Sequence, residues 1–257
     1  GVSVAFVLLC SLPQLLNYRS LQCWQLFLTC SKVDTRKSSL KNCILATELY
    51  KEHFLNDYTD VFLDVVLPIY LGKRPAAFPL ESFNVKVLKT WYTNRDLKAE
   101  FHNGRLTGLK QAGSLRKAGD CDRLGEGTNV TWSCTLEFAA LKATYDGSAR
   151  GESLAGSNRS LNVEATFLRP RGVVEIQFFR HTLPVLKSWR VLPLHMSFTF
   201  SREPDLNDQR RESLEDELKK NISVGVTRVL YGPLQQDLNS TVSDAMSYVL
   251  LSGDNFK

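Results

Sequence analysis

CDRLGEGTNVTWSCTLEFAALKATY, residues Cys121–Tyr145, alternates apolar with polar side chains at Val130, Trp132, Cys134, Leu136 and Phe138. Period two sustained over this length marks a strand with one buried face. After Ala139–Ala140 the apolar parity moves to Leu141, Ala143 and Tyr145. A slip of one residue turns every side chain over, so the flip predicts a bulge or sharp bend at the alanine pair. Cys121 and Cys134 flank the turn-forming run Gly125-Glu126-Gly127-Thr128, which predicts a hairpin tip. A bridge between them would staple that hairpin and, for a loop of this size, contribute about 3 kcal/mol.

The same alternation extends on both sides. Downstream, Leu161, Val163, Ala165 and Phe167 predict a strand ended by Arg169-Pro170-Arg171-Gly172, and Val174, Ile176 and Phe178 predict the next. Leu192, Leu194, Met196, Phe198 and Phe200 give another, with Leu183–Val191 either its beginning or a separate strand. Upstream, Phe83, Val85, Val87 and Trp91 share one parity. Leu97, Ala99 and Phe101 repeat it after a turn at Asn94-Arg95-Asp96, and Asn103-Gly104 reads as a second turn. Strands joined by short turns without intervening helices form an antiparallel meander.

Both ends of the chain change to helical period. Over Leu40–Leu71, Phe54, Tyr58, Val61, Val65 and Ile69 recur every three or four residues, with Leu55, Phe62 and Val66 widening the stripe and Pro68 and Gly72 closing it. After Pro204, Asp205 or Asn207 can cap a helix whose apolar face is Leu214, Leu218, Ile222, Val226, Val229 and Leu230. Gly232-Pro233 is predicted to kink or break it, and a second half follows through Leu234, Leu238, Val242, Met246, Val249 and Leu250. An apolar sheet face must be covered, and these amphipathic segments are the available covers. They leave either a packed core or a cavity.

The compartment is predicted from the start of the chain and from its sequons. Val2–Leu9 and Leu21–Thr29 are apolar runs too short to span a membrane, so residues 1–31 read as a signal peptide or a misassigned start. Thr29 and Ser31 stand at positions −3 and −1 of a candidate cut before Lys32. Asn129, Asn158, Asn221 and Asn239 each head an Asn-x-Ser/Thr acceptor, which predicts a secreted, extracellular glycoprotein. Asn221 and Asn239 would share one face of a continuous helix, with Leu214 and Leu218 near it, so either that helix is not straight or Asn221 carries no sugar. Removal of residues 1–31 would leave Cys43, Cys121 and Cys134, with Cys43 as a buried thiol or an intermolecular bridge.

Site chemistry of an enzyme is missing. The sequence contains no Gly-x-Ser-x-Gly elbow, Walker loop or His-Glu-x-x-His, and His53, His102, His181 and His195 lack metal-ligand spacing. No catalytic residue, cofactor or metal is therefore expected. Arg105, Lys110, Arg116, Lys117 and Arg123 form a basic cluster without interleaved aromatics, which argues against nucleic acid and reads as a solvated loop or a contact for anionic lipid headgroups. The formal charge of +5 permits such contacts without demanding them.

The run Phe101–Cys121, FHNGRLTGLKQAGSLRKAGDC, resembles the segment of arthropod group 7 mite-allergen-like secreted proteins in which N-x-x-x-x-G-L-K is followed by a basic residue, Gly and Asp. The order helix, antiparallel strands, long C-terminal helix is similar too, over about Leu40 to Leu251. That family is similar to the tubular lipid-binding superfamily of bactericidal/permeability-increasing protein and the juvenile-hormone-binding carriers. The resemblance implies an α+β fold, a curved antiparallel β-sheet wrapping a long C-terminal helix, with an N-terminal amphipathic helix, as one lipid-binding-like domain over residues 32–257. It also implies a non-enzymatic binder of a lipid or other small hydrophobic ligand in an apolar groove. The expected lining is Phe54, Tyr58, Val65 and Ile69 from the first helix, Ile176, Phe178, Leu194, Met196 and Phe198 from the sheet, and Leu230 and Leu234 from the last helix. The alternative is a recognition module of innate-immune type, binding lipopolysaccharide or a protein partner through its basic surface, without a ligand cavity. Neither reading requires an integral membrane protein.

Overall fold

Buried parity flips at Ala139–Ala140 and again between Phe167 and Val174, and both flips mark crossings between two sheets. The computed structural model describes residues 58–91, 95–110, 113–125, 129–151, 158–179 and 182–254, with side chains to 247. Phe54, Cys43, His181 and the signal-like start lie outside them. The chain divides into two compact units, Phe62–Ser243 and a smaller one of Gly1–Val61 with Asp244–Lys257. Both sheets belong to the first unit.

A seven-stranded antiparallel sheet runs β1 (Phe78–Leu80), β3 (Leu97–Thr107), β7 (Lys142–Arg150), β9 (Val163–Phe167), β12 (Met196–Phe200), with β2 (Phe83–Val87) also on β3 and β8 (Arg159–Ser160) on β7. A five-stranded sheet runs β11 (Val185–Val191), β10 (Arg171–Phe179), β6 (Asn129–Phe138), β4 (Leu115–Lys117), with β5 (Asp122–Leu124) also on β6. The chain passes from β3 to β4, β6 to β7, β9 to β10 and β11 to β12, so every long stretch belongs to both sheets. Side chains buried at Trp132, Leu136 and Phe138 give way to Ala143 and Tyr145, and those at Val163 and Phe167 to Val174 and Ile176.

The crossings lie side by side and bond to one another. Ala139 N donates to Ser114 O at 2.8 Å, Phe138 N to Pro170 O at 2.9 Å, Leu168 N to His195 O at 2.8 Å and Leu192 N to Arg171 O at 2.9 Å. Gly108 lies here with φ 98°, and a Cβ on it would sit 2.0 Å from the Ala140 carbonyl oxygen. The predicted bend is thus a sheet-to-sheet crossing, with the backbone ladder continued through it.

Cys121 and Cys134 are bridged, Cα to Cα 4.5 Å, where β5 meets β6, and Asn129 is exposed near the hairpin tip. Asn103-Gly104 is not a turn. The pair lies inside β3 as a bulge, with Asn103 at φ 52° and a register shift between His102 and Arg105. The Tyr145 ring occupies the space a Cβ on Gly104 would need, 2.3 Å away, so packing overrides the turn preference of the dipeptide. Trp91 does not continue the buried parity of β2; it is almost wholly exposed. β11 is a strand of its own.

The first helical segment includes a π-wound stretch, Val61–Val66, followed by α1 (Leu67–Gly72). Its wider turns move the buried set to Phe62, Leu63, Val66, Leu67 and Leu71, and leave Val65 and Ile69 exposed. Just beyond, Arg74 makes a two-pronged contact with the buried carboxylate of Asp237, at 2.9 to 3.2 Å.

α2 (Asp208–Val229) is capped by Asn207, whose side chain accepts from Arg210 N at 3.0 Å. Leu214, Leu218, Ile222, Val226 and Val229 are buried, and the helix packs against β1 and β2. Gly232-Pro233 neither breaks nor ends it. The chain widens into a π-wound stretch, Leu230–Leu234, and continues as α3 (Gln235–Asp254), absorbing the missing N–H within one turn. No described helix is long and apolar enough to cross a membrane.

Two measurements test this packing. Gly108→Ala adds a left-handed penalty of about 1–2 kcal/mol and a backbone clash, whereas Gly113→Ala at φ 70°, with open space around it, adds only the first. Urea unfolding is expected to show the Gly108 variant as clearly the less stable. Burial, with Glu81 adding to it, pushes the Tyr145 phenol up to about 12, and its hydroxyl has no hydrogen-bond partner among the described residues. Stability from this group is complete below the ordinary tyrosine range near pH 10 and falls as pH rises toward 12, by at most about 1.4 kcal/mol per pH unit. Tyr145→Phe is expected to flatten that alkaline loss and to be neutral or stabilising at pH 7, read by denaturant unfolding across the range.

A candidate ligand groove beside the last helix

The crossing from β11 to β12, Leu192-Pro193-Leu194-His195, belongs to neither sheet. Pro193 brings no N–H and so cannot extend a ladder. Opposite it, Ser223, Thr227 and Tyr231 recur every fourth residue and share one helix face. Between the two lies an open groove of about 360 Å³, lined by Val191, Leu192, Pro193, Leu194, Ser223, Thr227 and Tyr231. The volume falls at the small end of ligand pockets.

Two hydrogen bonds join β11 to the π-wound stretch. Trp189 Nε1 donates to Leu230 O at 3.1 Å, and Val191 N donates to Tyr231 Oη at 2.9 Å. Trp189 is itself fixed by Phe138, edge on at 6.3 Å, and by Gly172, where any Cβ would meet the ring at 2.2 Å. Tyr231 accepts from the backbone, so its own O–H is not used in that bond. One wall is therefore apolar and the other carries three hydroxyls. No carboxylate, imidazole, amine or thiol is in the lining. Such an arrangement can bind and orient an amphipathic molecule.

Of the residues expected to line a groove, Leu194 does so. Ile176, Met196, Leu230 and Leu234 are buried in the core. Phe178 and Phe198 are half-buried outside the lining, and Val65 and Ile69 are exposed on the first helical segment. Tyr58 belongs to the smaller unit, where burial pushes its phenol far above the usual range. Val191, Leu192, Pro193, Ser223, Thr227 and Tyr231 were not predicted. The available signals were the proline inside an apparent strand and the four-residue hydroxyl spacing on the helix.

The basic cluster is spread over two sheets, with Arg105 in β3, Arg116 and Lys117 in β4 and Arg123 in β5. Arg116 contacts Glu137 at 3.0 Å and holds that carboxyl below its usual range. His102 and His195 are exposed, and no group of three His, Cys, Asp or Glu suited to a metal occurs among the described residues. Asn129, Asn158 and Asn239 are exposed, whereas Asn221 is half-buried and its Nδ2 donates to Glu217 O at 2.8 Å.

No protein-family profile matches the sequence. The chain is 25% identical over 194 residues to the salivary anticoagulant protein P23 of Ixodes scapularis, covering 73% of this chain and 86% of that protein. Among solved structures, Takeout 1 of Epiphyas postvittana is similar at 13% identity and a TM-score of 0.31, over 74% of this chain and 89% of that one. A lipopolysaccharide binding protein is similar at 13% identity and a TM-score of 0.36, over 68% of this chain and 38% of that one.

The two groove-side hydrogen bonds differ in burial, which sets an expected order of effects. Trp189→Phe orphans the Leu230 carbonyl and leaves a void, at a cost of about 2–4 kcal/mol. Tyr231→Phe frees an exposed N–H that water can satisfy, at under about 1 kcal/mol. Chemical denaturation of both variants checks the order.

Proposed function

We propose that the chain is a secreted glycoprotein of the tubular lipid-binding type, resembling group 7 mite-allergen-like proteins, that carries a lipid or other small hydrophobic molecule. The observation behind this reading is the groove with Leu192, Pro193 and Leu194 on one wall and Ser223, Thr227 and Tyr231 on the other. An acyl chain or flat apolar body lies against the crossing, and a carbonyl or hydroxyl accepts from Tyr231. The role is binding, because the three hydroxyls of the lining have no histidine, carboxylate or amine beside them in the groove to activate them.

A second reading rests on the relative named as a salivary anticoagulant protein. In it the chain is an extracellular interaction protein that slows clotting through a protein partner, and the groove stays empty. The two separate by experiment. Protein from a eukaryotic secretion system is expected to take up a fluorescent fatty acid, and Ser223→Trp is expected to weaken uptake by about tenfold or more, since a filled groove loses most of its apolar contact. Circular dichroism should stay unchanged. Absence of uptake by the wild type, with prolonged clotting time that survives Ser223→Trp, would favour the second reading. Glycan mapping of the same material is expected to find sugar at Asn129, Asn158 or Asn239 in preference to Asn221.

A further inference from the structure

The loop end of the β2–β3 hairpin carries a row of like charge that the groove does not use. In the register of β2, β3 and β7, Lys86 lies opposite Lys98, and Lys98 opposite Arg150. All three are exposed. Like charges set directly across a strand pair destabilise it, so the arrangement is costly unless anions outside the protein offset it. Among the described residues Asp96 pairs with the row, 3.3 Å from Lys86, and Glu100 shares the exposed face of β3 two residues from Lys98, which leaves the row with more positive than negative charge. Asp96 is also committed to the loop, accepting from Lys89 N at 2.9 Å; that bond, followed by Lys86, holds its carboxyl below the usual range.

The same loop displays Leu88, 65% exposed, and Trp91, 93% exposed. An indole so open contributes little to the core, yet the backbone presenting it is braced. Arg210, itself 2% exposed, donates to the carbonyls of Arg95 at 3.3 Å and Gly151 at 3.4 Å, tying the β2–β3 loop to the end of β7. Asn207 Nδ2 reaches Thr90 Oγ1 at 3.4 Å. Gly151, at φ 93°, packs so closely on the Asp96 carbonyl that a Cβ would approach its oxygen to 2.2 Å.

We propose that this end of the seven-stranded sheet docks on an anionic lipid bilayer. Trp91 and Leu88 enter the boundary between headgroups and acyl chains, and Lys86, Lys98 and Arg150 face the phosphate layer. Tryptophan favours that boundary because its ring is apolar and its N–H polar. A protruding indole suits a fluid surface, which deforms around it, and the basic row supplies the charge match. This surface is separate from the groove, and docking does not require the groove to be filled.

The test uses phosphatidylcholine vesicles with and without a phosphatidylserine fraction, read by sedimentation and tryptophan emission. Wild-type protein is expected to bind the anionic vesicles with a blue shift and to release as salt is raised. Lys98→Ala should weaken binding about fivefold, and Lys98→Glu by more than tenfold. Trp91→Ala should abolish the blue shift. These positions are exposed, so no variant should melt below the wild type, and relief of the repulsion across Lys86, Lys98 and Arg150 should leave the Lys98 variants equal or slightly higher. Ser223→Trp should leave vesicle binding intact, which separates this proposal from the groove reading. Equal binding to neutral vesicles, no binding at low salt, or full binding by Trp91→Ala and Lys98→Glu would overturn it; so would salt-sensitive capture of a soluble protein through Trp91 without vesicle binding.

Discussion

The hydrogen bonds across the crossings are what the rest of the fold depends on. A meander of four long stretches that simply bent would lose backbone pairing at each bend, and buried unpaired N–H and C=O groups cost about 1–3 kcal/mol each. Here Ala139 bonds to Ser114, Phe138 to Pro170, Leu168 to His195 and Leu192 to Arg171, so pairing continues from one sheet into the other. The crossings also set parity. The stretches through β6–β7 and β9–β10 bury one alternate set of side chains before the crossing and the opposite set after it, as between Phe138 and Ala143 or between Phe167 and Val174. Gly108 is required where the carbonyl of Ala140 comes too close for any Cβ.

The long helix is fitted to this frame by a local change of winding. A straight α-helix through Pro233 would clash with the carbonyl of Val229 and leave it unbonded. Widening over Leu230–Leu234 removes the conflict, and the Leu230 carbonyl is taken up by Trp189. The same stretch places Tyr231 against Val191, so the residue that forms a wall of the groove also joins helix to sheet. At α3, the Arg74–Asp237 contact ties in the chain beyond α1.

Much of this was legible. The alternation through Trp132, Cys134, Leu136 and Phe138, its flip at the alanines, the Cys121–Cys134 staple and the buried face of α2 are all consequences of periodicity and turn chemistry. β1, β4, β5 and β8 have two or three residues each and carry no readable period. Asn103-Gly104 misled because a dipeptide preference worth little was outweighed by the Tyr145 ring. The groove was hidden for a different reason. Leu192 and Leu194 share the parity of Met196, Phe198 and Phe200, so crossing and strand read as one element, and only Pro193 betrayed the join. On the helix, Ser223 and Thr227 lie off the apolar stripe of Leu214, Leu218, Ile222 and Val226, so periodicity does not single them out. Val65 and Ile69 fell on the exposed side because π winding shifts the phase of the apolar stripe.

The disposition of the crossings has a consequence for how the molecule comes apart. Both sheets draw a strand from every long stretch, so neither sheet is a separable foldon with its own chain segment. Nicking the backbone at Ala139–Ala140 or at Leu168–Pro170 would cut a stretch that serves both halves. Partial opening that spares one sheet is thereby disfavoured, and Phe62–Ser243 should lose its two sheets in a single cooperative step.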